Sequence, residues 1–312
     1  MELKQPEAII GTNSWGSKAY GTLLRGSGVD EATLRETMSC AINHDLKIFD
    51  VAKDYGFGKA QKLLGSFGSS NCIISAKFTP STSYQPGQVR TSLIQDLNDI
   101  QRDYVDIYWL HLPSDLKENL REMAELYREG KIRLIGVSNF NLEECIQAAE
   151  ILAEQEIPLY GVQNHYSLIA RRWEQEGLVD WCHENDVSFW AWAVLEEGIL
   201  TDPRVKTPSS IMKVLFQRKK TTLLPLYDLM RRIGEHHGLN IPEVAISYCS
   251  SKGIVPICGC RKPYQVEALV KAVHTTLSEL ELQQLEQEAD RLQVTVLGAD
   301  MFRFAVRKKG KE

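Results

Sequence analysis

The sequence predicts an α/β protein, a single-domain closed barrel of eight parallel strands that alternate with helices, the (β/α)8 or TIM barrel. Eight short, almost continuously apolar runs recur along the 312 residues, as expected for strands covered on both faces. Helical patterns with one apolar face lie between most of them. The fingerprint G-x-G-x-x-G, usual after the first strand of an open doubly wound sheet, is absent. Such an open sheet stays as the alternative topology, because it uses the same alternation.

The elements follow in order along residues 1–312, read as one domain. The first run is Ala8-Ile9-Ile10. A helix is expected over 31–45, where Leu34, Met38, Ala41 and Ile42 share a face. The second and third runs, 46–51 and 72–78, carry Asp50 and Lys77 near their ends. The fourth, 105–111, ends on His111. Residues 115–130 repeat the helical spacing through Leu116, Leu120, Met123 and Tyr127, and Gly130 supplies the stop. After the fifth run, 132–137, Asn141 and Glu144 have the spacing of a capping box that opens the next helix. The last three runs are 159–163, 187–194 and 253–257. Residues 196–222 form a long connection with Asp202-Pro203, Pro208 and the basic group Arg218-Lys219-Lys220. Long connections often carry function, although these charges suit a solvated surface equally well. A periodic helix over 278–292 precedes a tail bearing Met301, Phe302 and Phe304.

Composition narrows the classes. Hydrophobic residues make up 43% and charged residues 25%, an ordinary globular balance. A net charge of -5 argues against a nucleic-acid partner. No apolar run reaches bilayer-spanning length, so no membrane partner is expected. The start, MELKQPEAII, lacks the apolar segment of a signal peptide, which points to a cytoplasmic location. Seven scattered cysteines without a C-x2-C pair fit a reducing compartment better than a disulfide framework. Cys258 and Cys260 are close, but no second ligand cluster accompanies them. Small side chains packed near a glycine turn explain them better than a metal, and none is expected.

The stretch DVAKDYG, residues 50–56, reads as a strand end opening into a glycine-rich loop. Barrel enzymes build their sites at such ends. Tyr55 is a poor acid at neutral pH, with an ordinary pKa of about 10, so a nearby cation is needed to lower it. SAKF, residues 75–78, offers Lys77 at the end of the third strand. Neighbouring strands lie about 4.8 Å apart, so Asp50 can pair with that ammonium, and the ammonium can stabilise a Tyr55 phenolate. WLHLP, residues 109–113, brings His111 to the same mouth as a donor able to polarise a carbonyl. A lone histidine or a lone Asp–Lys pair is more often structural. Convergence at the ends of successive strands is what points to chemistry here.

These residues together resemble the aldo-keto reductase family. FDVAKDYG is similar to the family's F-D-T-A-x-x-Y-G, SAKF to its lysine strand, DIYWLHLP to its Y-x-L-H-x-P, and GVSNF, residues 136–140, to a further motif. The likeness runs from about Gly11 to Val273, with Val51 in place of the usual threonine. It implies reduction of an aldehyde or ketone by hydride from a nicotinamide cofactor. Tyr55 would protonate the carbonyl oxygen, Lys77 and Asp50 would tune it, and His111 would orient the substrate. By the same resemblance, Ser138, Asn139 and Gln163 would hold the nicotinamide amide and Trp192 would stack on its ring. Leu195 and Gly198 remain from the loop that follows, where Ala193 and Val194 replace the usual serine and proline. ICGCRKPYQVEAL, residues 257–269, resembles the adenosine-phosphate segment. There Gly259 opens an anion-binding turn, Arg261 would fork onto a 2′-phosphate and Gln265 would lie near the adenosine. This favours NADPH, with NADH as the alternative. Cys258 and Leu269 depart from the pattern and imply weaker adenine contacts.

The small-molecule carbonyl substrate itself is not readable. Trp15, Tyr20, Trp109 and Leu112 fall near strand ends and are candidates to line an apolar pocket, although most barrel aromatics are core. A cofactor-binding sensing module with little turnover is the alternative function. A metal-dependent hydrolase would need more converging ligands than Asp50 and His111.

Overall fold

In the computed structural model, which describes residues 5–16, 22, 28–81, 83–204 and 220–296, all eight expected strands close into one parallel barrel in sequence order. They are β1 (Ile9–Gly11), β2 (Ile48–Asp50), β3 (Ile73–Phe78), β4 (Val105–Leu110), β5 (Ile132–Ser138), β6 (Leu159–His165), β7 (Ser188–Trp192) and β8 (Val255–Gly259). β8 returns to β1 through Ile9–Ile257 and Gly11–Gly259. Closure leaves no strand edge unpaired, and the open-sheet alternative is thereby excluded.

Helices cover the outside: α1 (Glu31–Asn43), α2 (Ala60–Phe67), α3 (Gln88–Ile100), α4 (Leu116–Arg128), α5 (Leu142–Ala153), α6 (Arg172–Gln175), α7 (Leu178–Glu184), α8 (Leu224–His237), α9 (Ile241–Ser251), α10 (Pro263–Val273) and α11 (Glu279–Leu292). Their ends follow local chemistry. Asn141 accepts from Glu144 N at 2.8 Å while Glu144 accepts from Asn141 N at 2.7 Å, the reciprocal cap expected from the sequence. α1 stops two residues earlier than its apolar spacing suggests, because Asp45 turns into the left-handed region at φ 62°. α4 likewise ends just before Gly130, at φ 71°.

Strand alternation divides the core in two. Outward side chains join the helices in one large shell. Inward ones, including Ile107, Trp109, Trp190 and Ile257, fill the barrel. The Trp109 and Trp190 rings lie 4.9 Å apart, within the range of favourable tilted aromatic pairs. Gly136 on β5 and Gly161 on β6 make room for them: a Cβ on Gly136 would lie 2.4 Å from the Trp109 ring. Cys258 and Cys260 are buried free thiols. No described helix is long and apolar enough to cross a membrane. Tyr20, Arg218, Lys219, Met301, Phe302 and Phe304 lie outside the described residues.

Candidate active site

Asp50 closes β2 and faces Ser75 of β3 in register, with Lys77 one step further along the same face. Lys77 Nζ donates to Asp50 Oδ2, and both side chains are almost fully buried. The other carboxylate oxygen, Oδ1, accepts from Ser75 Oγ at 2.8 Å and from Gln163 Nε2 at 2.9 Å. The Asp50 carbonyl is also occupied, by the Thr12 hydroxyl at 2.8 Å. A buried carboxylate is tolerable only when so fully paired.

Tyr55 follows in the turn after β2. Its position depends on Gly56, whose φ is 61° and where a Cβ would sit 1.8 Å from the Trp15 carbonyl oxygen. The Lys77 ammonium lies 5.0 Å from the Tyr55 ring centroid. Burial raises the phenol above its ordinary value; Lys77 lowers it, while Asp50 and Glu197 raise it again. The net direction is up, although the lysine alone acts as the sequence suggests, because desolvation of a phenolate outweighs one paired cation. For Lys77, burial works against the charged form, but Asp50 and Tyr55 prevail and its pKa is raised. The site therefore pairs a protonated phenol with a protonated amine at neutral pH.

His111 follows β4 and its Nδ1 meets Thr79 Oγ1 at 2.8 Å. Burial, reinforced by the Lys77 charge, pushes its pKa down to about 3, so the ring is neutral. Asn139 links it to the nicotinamide candidates. Its Nδ2 donates to the His111 carbonyl at 3.1 Å and to Ser138 Oγ at 3.2 Å. Ser138 in turn donates to the Gln163 carbonyl at 2.7 Å. Asn139 is left-handed at φ 64°, a conformation that asparagine tolerates, and its buried Oδ1 has no partner within the protein.

Trp192 is half-buried at the end of β7, its ring centroid 4.7 Å from that of His165. His165 Nε2 lies 2.9 Å from the buried Glu196 carboxylate, which also accepts from Ser167. The turn beyond holds Ala193, Glu196 and Glu197 in the left-handed region, followed by Gly198 at φ 92°. Half-buried Leu195 lies between them. Across the mouth, Gly259 is exposed and Arg261 stands just ahead of the N-terminus of α10. The Gln265 side chain accepts from the backbone N–H of Arg261 at 2.8 Å and of Lys262 at 3.1 Å, shaping this loop from within.

The four expected catalytic residues thus converge. Two of the aromatic candidates for the substrate pocket, Trp15 and Trp109, have no exposed surface, and the third, Tyr20, lies outside the described residues. Trp15 is anchored to the Cys260 carbonyl at 2.7 Å, and Trp109 lies inside the barrel. Leu112 is half-buried beyond β4. A cavity of about 400 Å³ adjoins Lys77, with Lys53, Phe78, Thr79, Pro86, Gln88 and Thr91 among its lining residues. Sequence reasoning missed Ser75 and Thr79. Both stand two residues from Lys77, so period-two alternation alone puts all three on one strand face.

Known proteins match this chain over most of its length. The profile of the Aldo/keto reductase family covers residues 7–290. The chloroplastic pyridoxal reductase of Arabidopsis thaliana is 28% identical over 304 residues, spanning 90% of this chain and 82% of that protein. The NADH-specific methylglyoxal reductase of Escherichia coli (strain K12) is 26% identical over 322 residues, spanning 92% and 93%. The crystal structure of the thermostable aldo-keto reductase Tm1743 with the inhibitor epalrestat superposes with a TM-score of 0.72 at 25% identity, over 91% of this chain and 95% of that one.

Proposed function

The chain belongs to the aldo/keto reductase family, and on that premise we propose that it reduces an aldehyde or ketone to the alcohol with a nicotinamide dinucleotide, Tyr55 acting as the general acid. The observation that carries this reading is the buried Asp50–Lys77 pair with the Tyr55 phenol beside its ammonium. A phenol whose pKa is raised stays protonated at neutral pH and can donate, and the ammonium is in place to stabilise the phenolate left behind. Neutral His111, its Nδ1 paired with the Thr79 hydroxyl, is able to donate a hydrogen bond to a carbonyl oxygen without adding charge.

The residues present fit the cofactor. Asn139 Oδ1 is a buried acceptor without a donor, and a carboxamide N–H₂ is the group it lacks. The half-buried ring of Trp192 offers a stacking surface. Arg261 and the N-terminus of α10 suit a phosphate, with Gly259 beside them. When bound, the nicotinamide supplies the hydride. Ser138 and Gln163, linked to Asn139, would hold the same carboxamide, and Leu195, Gly198 and Gln265 stand in the segments that would flank the rest of the cofactor. A guanidinium fork favours a 2′-phosphate and hence NADPH. NADH is the second candidate, since a similar reductase is NADH-specific.

The test is oxidation of NADPH and of NADH by the purified protein with a panel of aldehydes and ketones. Turnover above a Tyr55→Phe control is expected. Cofactor binding without turnover would favour the sensing alternative, which the intact catalytic set does not. Arg261→Ala is expected to weaken NADPH by about tenfold or more while leaving NADH nearly unchanged, the loss of one charge-assisted fork. Equal effects on both would remove the phosphate assignment.

A further inference from the structure

Asp50 takes Lys77 on Oδ2 and holds two donors on Oδ1, one of them the Ser75 hydroxyl at 2.8 Å. Ser75 Oγ is itself an acceptor for Trp109 Nε1 at 2.7 Å. An indole N–H can only donate. Ser75 therefore receives the indole proton and commits its single proton to Asp50. The indole cannot drift, because its ring has no exposed surface, packs on Trp190 at 4.9 Å and fills the space left by Gly136 and Gly161. Gln163 also reaches Oδ1, at 2.9 Å, but it is the residue expected to serve the nicotinamide amide as well. Ser75 has no second task.

We propose that Trp109 and Ser75 form a positioning relay for the proton-transfer step: an indole fixed in the barrel core orients a hydroxyl, which sets the rotation of Asp50 and keeps its Oδ2 on Lys77. This rests on the reading of Tyr55 as the proton donor. Rotation of a carboxylate about its last bond is soft, so two donors on one oxygen decide where the other oxygen points. Without the Ser75 proton, Oδ1 keeps only Gln163, the Asp50 carboxylate is held less firmly, the ammonium shifts with it away from Tyr55, and the phenol loses part of the stabilisation that lowers its pKa. Trp109, expected at the mouth from its place in the sequence, then acts two shells beneath it.

The test compares Ser75→Ala, Ser75→Thr and Trp109→Phe with the wild type. Turnover of an uncharged aldehyde is measured against pH, together with KM and thermal stability. Ionisation of Tyr55 is followed in cofactor-free protein by tyrosine carbon NMR, assigned with Tyr55→Phe. In Ser75→Ala, kcat per folded molecule falls about tenfold, the size of one hydrogen bond to a charged group. KM for the aldehyde stays within about twofold, a pattern of transition-state rather than ground-state loss. The alkaline limb of the rate and the Tyr55 titration both move to higher pH. Trp109→Phe moves them in the same direction, and Ser75→Thr, which keeps the hydroxyl, restores most of the rate. If Ser75→Ala lowers only thermal stability, with kcat and both pH readouts unchanged, the pair is structural and the relay is refuted. Should Ser75→Ala not fold, Ser75→Cys, similar in size but a weak donor, gives the same comparison. A wild type that reduces no carbonyl refutes the functional reading instead, and the Tyr55 titration still decides the relay.

Discussion

Four side chains carry the proposed chemistry, and each is set by a neighbour rather than by its own type. Asp50 stays buried because Lys77, Ser75 and Gln163 occupy its oxygens. Tyr55 remains a phenol because burial outweighs the lysine beside it. His111 shows the same logic with the opposite sign. Its pKa of about 3 keeps it neutral wherever the protein is folded and active, so it contributes no acid limb to the rate. The expected profile of kcat is flat through the ordinary histidine range near pH 6.5 and falls only at alkaline pH, as the Tyr55 proton is lost. An acid limb near 6.5 that disappears in His111→Gln would show that the ring is charged and the burial argument is wrong. That these four residues converge was legible in the sequence, since each lies at or just beyond the end of a strand. The direction of the Tyr55 shift was not. A pairing can be read from spacing, but the depth of burial that competes with it is a property of the closed barrel.

At the level of elements, apolar runs located every strand, because strands covered on both faces tolerate almost nothing polar. Their ends were less certain: the second run suggested 46–51, whereas β2 spans only Ile48–Asp50. Trp15 and Trp109 lie deeper than their sequence positions suggested for a related reason. A residue near a strand end points into the barrel or out of it, and a buried tryptophan needs small partners that only the fold brings together. Gly136 and Gly161 sit beside Trp109 through the register of β4, β5 and β6, not through sequence. With Tyr55 as the proposed acid, the turn after β2 is the element that positions it most directly. Gly56→Ala would place a methyl 1.8 Å from the Trp15 carbonyl oxygen at a φ of 61°. It is expected to cost about 2 kcal/mol or more in denaturant unfolding and to reduce turnover sharply by moving Tyr55. Unchanged turnover in a folded variant would mean that the turn does not position the phenol.

Across the whole molecule, one buried carboxyl outside the site links stability to pH. Asp96 on α3 accepts from Gln61 of α2 at 2.9 Å and from the Tyr108 hydroxyl at 2.8 Å, yet burial still pushes its pKa from 3.8 up to about 6. The folded state thus binds this proton more tightly than the unfolded chain. Below pH 3.8 both states hold it and the effect vanishes; stability is lost as pH rises through 6, and the full penalty applies above. Asp96→Asn keeps an acceptor for Gln61 and removes the charge. It is expected to unfold at higher denaturant than the wild type at pH 8, by on the order of 2 kcal/mol, with a smaller difference at pH 4. No difference at pH 8 would show that the carboxylate is better solvated than its burial implies. The barrel as a whole brings β2, β3, β4 and β6 to a single mouth, and the entire account depends on the proton delivered there. The most direct test is the single-turnover rate of NADPH oxidation with an aldehyde in Tyr55→Phe. A loss of about a hundredfold or more is expected, the range for a general acid, with NADPH affinity unchanged. A variant that transfers hydride at the wild-type rate would contradict the assignment of Tyr55 as the proton donor.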